Sequence, residues 1–269
     1  MFPLNYTNIN EHSWDNWADE KCVWTLPITH QEFINAQNGE MELYLTPLKT
    51  VPKNWYFPLK EKKILGLASG GGQQCPLFVA GGAEVTVFDI SSKQLASDKF
   101  VAEREGYDIS LIKGDMTQKF PFEDESFDLV FHPVSNSYVE NLSHIWNECY
   151  RVLKHGGELL AGFANPTIYL YKKDKDGYIL SYAMPFNPLN DLAEEELKLV
   201  SNTDGVQFGH SFSEQLAHQI DAGFMVTGFY EDYHPIDNAV THYDTCIGEI
   251  ASYLSKYMPV YFATKSIKI

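Results

Sequence analysis

Between Lys63 and Asn165, short apolar runs alternate with helix-spaced apolar stripes, and this alternation sets the fold class. Ile64-Leu-Gly-Leu67, Glu84-Val-Thr-Val-Phe88, Ile109-Ser-Leu-Ile112, Asp128-Leu-Val-Phe131 and Glu158-Leu-Leu-Ala161 read as strands covered on both faces. Pro76-Leu-Phe-Val-Ala80 reads as a short helix stopped at Gly81-Gly82, with its proline tolerated in the first turn. A second helix starts from Ser91 or Ser92 as N-cap and runs to about Glu105, with Gly106 as its stop. A third, from about Ser143 to Leu153, puts Ile145, Trp146, Cys149, Val152 and Leu153 on one side and ends at Gly156-Gly157. Strands separated by such helices predict parallel pairing with right-handed crossovers. Beyond Pro166 the texture changes. Residues up to about His210 form a polar, tyrosine-dotted insertion placed over the sheet's carboxyl edge. Ser211–Ala222 is expected as helix, Phe224–Tyr230 as strand, Asp244–Lys256 as helix and Met258–Thr264 as the last strand, the last two strands pairing antiparallel. The predicted fold is α/β and doubly wound: a Rossmann-like, seven-stranded, mostly parallel sheet with an antiparallel last strand and helices on both faces.

Residues 1–60 differ again. They carry Trp14, Trp17, Trp24, Phe33, Tyr44, Trp55, Tyr56 and Phe57, and prolines at 27, 47, 52 and 58 divide them into short pieces. We read them as an N-terminal helical cap on a domain spanning 61–269. Composition narrows the function classes. The 44% hydrophobic content is that of a soluble globular chain, and no apolar run approaches the ~18 residues of a membrane span. Met1–Asn10 shows neither a basic nor an apolar leader region, so the expected location is cytoplasmic. A net charge of −16 argues against nucleic-acid or anionic-membrane partners, which require a positive face. Cys22, Cys75, Cys149 and Cys246 form no CxxC pair, so neither a metal site nor a disulfide framework is expected.

In doubly wound sheets, ligands bind outside the carboxyl ends of the strands where strand order reverses. Four features fall at such ends. Ala68-Ser-Gly-Gly-Gly72 is a turn with few side chains, so its backbone N–H groups can approach a ligand. Asp89, nineteen residues after Gly70, can accept from the hydroxyls of a ribose. Gly114-Asp115-Met116 brings another carboxylate, and Phe131-His132-Pro133 opens a polar loop, Ser135-Asn-Ser-Tyr138. Their order and spacing together point to a nucleoside-type cofactor.

On these residues the segment from Lys63 to Asn165, roughly two-fifths of the chain, resembles the class I S-adenosylmethionine-dependent methyltransferases. Phe120-Pro-Phe-Glu-Asp-Glu-Ser-Phe-Asp128 and Glu148-Cys-Tyr-Arg-Val-Leu-Lys-His-Gly-Gly157 resemble the small-molecule, methyltransferase type 11-like branch. The resemblance implies S-adenosylmethionine as cofactor and in-line methyl transfer to a small-molecule acceptor. It implies that the backbone around Ala68, Ser69, Gly70 and Gly72 binds the methionine moiety, and that Asp89 takes the ribose. It further implies that Ile90 packs on the adenine, that Asp115 and the backbone of Gly114 and Met116 hold its edge, and that His132 borders the reacting methyl. The chain departs from the family at Gly66, where an acidic residue is usual, and at Ala68, which stands for the first glycine. Close backbone approach through an alanine requires a negative φ there. With Gly66 in place of the acid, Gln73 or Gln74 is the candidate partner for the methionine amine.

For the acceptor pocket, Trp14, Trp17, Asn136 and Tyr138 are the candidates, walled by the cap and the insertion. His132 is the leading candidate for a general base, ahead of His210 and His234. Asn165-Pro166 resembles part of an amino-methylation signature, but it follows the fifth strand rather than the fourth. Two competing readings remain at this stage. A non-catalytic S-adenosylmethionine binder would account for Gly66. An NAD-dependent oxidoreductase would use Gly70-x-Gly72-x-x-Cys75, although Cys75 stands where a smaller residue is required and Asp115 would have no role.

Overall fold

A computed structural model describes residues 5–233 and 248–269. Its central sheet has seven strands in the order β3-β2-β1-β4-β5-β9-β8. These are β1 (Lys63–Leu67), β2 (Glu84–Asp89), β3 (Ser110–Lys113), β4 (Phe127–His132), β5 (Leu153–Ala164), β8 (Phe224–Asp232) and β9 (Tyr261–Lys268). The first five pair in parallel, while β9 runs antiparallel to both β5 and β8. Alternate side chains feed two layers. Ile64, Val85, Val87, Leu129, Phe131 and Leu160 enter one core, and Leu65, Leu67, Phe88, Val130, Leu159 and Phe163 the other. The first core is covered by α2 (His30–Gln37), α3 (Gln74–Ala80) and α4 (Ser92–Glu105), the second by α5 (Leu142–Val152) and by Leu216 and Ala222, which flank α8 (His218–Asp221). Burial on both faces explains the continuous apolar runs of β1, β2, β4 and the later part of β5.

The capping signals act where the sequence places them. The Ser91 hydroxyl accepts from Gln94 N at 3.1 Å, and Gly106 ends α4 in the left-handed region at φ 75°. Gly156-Gly157, expected to end α5, instead lies inside β5, which begins directly at Leu153. Opposite it, the register with β4 shifts between Phe127 and Leu129, so the glycines serve a bulge and not a helix stop. The last strand lies three residues later than expected, because Met258–Val260 lead into it as loop. Ser211–Ala222 is one π-helical turn, Ser213–Ala217, followed by α8. Of the helix expected over 244–256, α9 (Glu249–Leu254) falls among the described residues.

The Glu148/Arg151 pair explains the residues that carry the branch resemblance. Glu148 accepts from Phe120 N at 2.7 Å and from Arg151 at 2.7 Å. Arg151 in turn donates to the Phe120 and Phe122 carbonyls at 3.1 and 2.7 Å. These bonds fasten α5 to the loop that leads into β4.

Residues 1–60 contribute α1 (Tyr6–Asp19) and α2, while Met41, Leu43, Leu45, Val51, Trp55, Tyr56 and Leu59 are buried in the same core as Ile64 and Phe78. The stretch from Pro166 holds a 3-10 turn (Pro166–Leu170), a separate hairpin of β6 (Tyr171–Asp174) and β7 (Gly177–Leu180), and helices α6 (Pro188–Asp191) and α7 (Glu194–Thr203). Asn10 of α1 fastens the two regions together. Its side chain donates to the Tyr138 and Val206 carbonyls, each at 3.1 Å, and accepts from Val206 N at 2.7 Å. No helix among the described residues is long and apolar enough to cross a membrane.

Candidate functional site

The reversal of strand order lies between β1, which pairs with β2, and β4. Residues 68–73 connect β1 to α3 at this point. Ala68 adopts φ 46°, not the negative value a bare-backbone approach through alanine was expected to need, and its N–H bonds Phe88 O at 2.8 Å. The turn thus imposes a left-handed conformation on an L-residue, which costs roughly 1–2 kcal/mol. Replacing Ala68 with Gly removes that strain and returns about 0.4–1 kcal/mol of it as unfolded-chain entropy. Ala68→Gly is therefore expected to raise stability by ~0.5–1 kcal/mol in urea unfolding.

The loop lies directly on two acids. A Cβ at Gly70 would come 3.0 Å from Asp89 Oδ2 and 2.7 Å from Gln94 Cβ, so only a bare backbone passes. Asp89 Oδ2 accepts from Gly70 N at 3.0 Å and Oδ1 from Ser91 N at 2.9 Å. Burial pushes its carboxyl up to about 6 despite these donors. Beneath the loop, Asp98 of α4 is fully buried and accepts from Gly71 N at 3.0 Å through Oδ2, while Oδ1 has no partner. Nothing in the sequence reading singled out Asp98; only its place one helical turn after Gln94 hinted at a loop-facing position.

One cavity of about 540 Å³ opens at this edge. Of the residues read from sequence as cofactor-binding, Ala68, Ser69, Gly70, Gln73, Gln74, Asp89, Ile90, Gly114, Asp115 and Met116 line it together. Gly72 does not; a Cβ there would meet Ser97 O, Pro27 and Val101 at 2.9–3.0 Å, so this glycine packs the loop on α4. Asp115 Oδ1 accepts from Thr117 N at 2.8 Å, which orients its carboxylate in a local turn. The glutamines are partly engaged by the N-terminal region. Gln74 Oε1 accepts from Tyr44 N at 2.9 Å, and Gln73 Nε2 donates to Val23 O at 3.0 Å and Leu26 O at 2.9 Å.

Across the cavity stands a wall of rings. Trp14 and Tyr138 line it in edge-to-face contact, centroids 5.6 Å apart. Trp24, Tyr169 and Tyr261, which sequence reasoning missed, line it too, and Tyr169 donates to Gln207 Oε1 at 3.0 Å. Tyr169 lies in the 3-10 turn Pro166–Leu170 that follows the carboxyl end of β5, a location that could have flagged it. Tyr261 was hidden by the misplaced start of β9, whose first residue reaches the carboxyl edge because that strand runs backwards. Desolvation raises the phenols of all three tyrosines, that of Tyr169 up to about 12. Trp17 packs edge-on against Trp14 at 4.9 Å outside the lining, and Asn136 is turned away to donate to Gly162 O at 3.2 Å.

His132, expected beside the reacting methyl, is not among the lining residues. Its ring is fully buried, with Nδ1 3.0 Å from Leu67 O, and it meets the edge of Trp146 at 6.0 Å. A carbonyl only accepts, so Nδ1 carries the proton and Nε2 is left bare and unpartnered. Burial depresses the ring to about 4, so it is neutral at physiological pH and a poor proton acceptor. His132 is the last residue of β4, as expected, and its ring packs against Trp146 of α5. His210 is likewise buried, Nε2 lying 2.7 Å from Val139 O, and His234 lies outside the described residues.

Residues 65–161 match the family model described as a methyltransferase domain. A methyltransferase of Bacillus subtilis (strain 168) called YbaJ, itself uncharacterized, is 40% identical over 264 residues, covering 97% of each chain. A demethylmenaquinone methyltransferase of Chlorobaculum tepidum is 34% identical over 99 residues, 36% of this chain and 39% of its own. Among solved structures, an S-adenosylmethionine-dependent methyltransferase from Mesorhizobium loti shares the fold, with TM-score 0.57 at 19% identity over 80% of this chain and 94% of its own. With a relative matching along almost its whole length and the glycine turn and strand-end acids meeting at one cavity, the chain belongs to the class I S-adenosylmethionine-dependent methyltransferases.

Proposed function

We propose that this enzyme methylates a small-molecule acceptor held between the glycine turn and the ring wall. The observation that carries the reading is that one cavity is lined both by Gly70, Asp89 and Asp115 and by Trp14, Tyr138 and Tyr169. The cofactor fits what is there. Asp89 is a buried carboxylate that lines the cavity and accepts from Gly70 N and Ser91 N, and its remaining lone pairs can accept from ribose hydroxyls, while the missing Cβ of Gly70 lets the loop lie directly on it. In this reading Ala68, Ser69 and Gly70 hold the methionine part, Ile90 and Met116 sandwich the adenine, and Asp115 accepts from its amino group. The cofactor brings a methyl group already activated by a positively charged sulfur. The protein then aligns the acceptor with it and excludes water, and such positioning is worth on the order of 7–11 kcal/mol.

The non-catalytic alternative rested on Gly66. That position is packed rather than lost, since a Cβ there would lie 2.3 Å from Cys75 Sγ. An oxidoreductase reading finds no support in the relatives. Asp89→Ala removes a charged acceptor, a loss of ~1.5–3 kcal/mol, and is expected to weaken S-adenosylhomocysteine binding by about 10- to 100-fold in calorimetric titration. Unchanged affinity would overturn the assignment of Asp89. Release of S-adenosylhomocysteine from S-adenosylmethionine in the presence of a metabolite-sized acceptor fraction, but not of folded protein or nucleic acid, tests the acceptor class.

A further inference from the structure

The cavity is unusual in what it lacks. No Lys, Arg or His is among the described residues that line it, whereas Glu32, Glu42, Asp89 and Asp115 do. Residues 1–4 and 234–247 contain no Lys or Arg either, although His234 and His242 fall in them. An anionic acceptor, whether carboxylate, phosphate or diphosphate, would be desolvated there with no cationic side chain among the described lining residues to bind it, a costly burial. The acceptor-side wall is aromatic and apolar, built by Trp24, Val134, Ile168, Tyr169 and Tyr261 from the N-terminal region, the β4 and β5 ends and the start of β9. Such a wall takes a flat ring, and ring faces favour a positive charge.

The lack of a strong base among the described lining residues narrows the choice further. A phenol, with a pKa near 10, must first lose a proton, and an alkylamine, near 10.4, is almost wholly protonated at pH 7. No imidazole or amine lies in the described lining; its carboxylates are far weaker bases than a phenolate or an alkylamine, and desolvation holds the phenols of Tyr138, Tyr169 and Tyr261 protonated. An imidazole-like ring nitrogen, with a pKa near 6.5, is already mostly uncharged and nucleophilic at pH 7.

Resting on the methyltransferase reading above, we infer that the acceptor is an uncharged nitrogen borne on an aromatic or heteroaromatic ring. The nitrogen lone pair forms the N–CH3 bond as the C–S bond breaks, and that bond's electron pair stays on sulfur. The positive charge moves from sulfur to nitrogen, where the ring wall favours it. If the nitrogen carried a hydrogen, the proton then leaves to solvent.

The test uses the full-length enzyme with S-adenosylmethionine and ring-matched acceptors: heteroaromatic nitrogen, arylamine, phenol, arylcarboxylate, arylalkylamine, and a prenylated quinol. The expected result is addition of one methyl mass to the ring-nitrogen compounds at rates at least tenfold above the others. Ile168→Lys is expected to lower that rate at least tenfold and to admit the arylcarboxylate, while thermal stabilisation by S-adenosylhomocysteine persists. Preferred turnover of the carboxylate, the alkylamine or the quinol overturns the inference, as does phenol methylation abolished by His234→Ala or His242→Ala. Inactivity toward every ring nitrogen, while S-adenosylhomocysteine still binds, also overturns it and leaves the methyltransferase reading standing. Absence of S-adenosylhomocysteine binding would instead defeat that reading itself.

Discussion

A methyl group at position 66 is expected to destabilise the protein by about 1–3 kcal/mol, the usual cost of overpacking a filled core, and an aspartate there is expected to prevent folding. Gly66 sits in the middle of β1, paired with Val87 on one side and Phe131 on the other. A Cβ on it would come 2.3 Å from the sulfur of Cys75, which is itself fully buried and points toward Ser69 O at 3.5 Å. Two departures from motif are therefore one feature. The family's usual acid is absent at 66, and the small residue of a dinucleotide-type turn is absent at 75, because the thiol occupies the space beside the glycine. A double-mutant cycle checks this directly. Gly66→Ala and Cys75→Ala are each expected to lower the free energy of unfolding, and the pair together by at least ~1 kcal/mol less than their sum, since residues in contact couple by ~0.5–3 kcal/mol. Strict additivity in urea titrations would show that the thiol and the missing side chain do not share one space.

The same pair marks the boundary of what was legible before the structure. The five parallel strands, their helices and the meeting of Gly70, Asp89 and Asp115 could be read because each rests on local pattern: buried runs, caps and strand-end acids. What could not be read depends on which way a side chain turns once the chain is packed. His132 is at the carboxyl end of β4 as expected, yet its ring is buried against Trp146 and is not among the residues that line the cavity. Gly156-Gly157 has the composition of a helix stop, but pairing with β4 made it a bulge within β5. Trp24, Tyr169 and Tyr261 are far apart in sequence and come together only through the N-terminal region, the loop after β5 and the reversed direction of β9. Long-range contacts of that kind leave no periodic trace.

Raising the pH from 6.5 to 8 is expected to cost the cofactor-free protein about 1–2 kcal/mol of stability through Asp98 alone, and Asp98→Asn is expected to abolish that loss. Burial, opposed by the Gly72 and Gly71 N–H groups and reinforced by Asp89, pushes the Asp98 carboxyl up to about 8. The unfolded carboxyl titrates near 3.9. The folded state therefore binds the proton more tightly, so stability is greatest while the group stays protonated and declines as pH rises through the native value. Each proton contributes a slope of at most ~1.4 kcal/mol per pH unit. The groups facing Asp98 do not reverse this. Asp89 is raised only to about 6, and the Cys75 thiol and Tyr107 phenol are held protonated by burial and by Asp98 itself. His132 acts in the opposite sense, since a ring depressed to about 4 gains stability as pH rises toward 6.5, and for that reason the informative window begins above it. Asparagine mimics the neutral acid and can still accept from Gly71 N, so the loop is expected to keep its shape. The quantity to measure is the difference between parent and variant in urea unfolding across that window, because the chain's net charge of −16 gives both a shared background slope. Parallel curves would mean that Asp98 is already ionised under the glycine turn, and the floor of the cofactor site would then carry two buried negative charges where this reading places one.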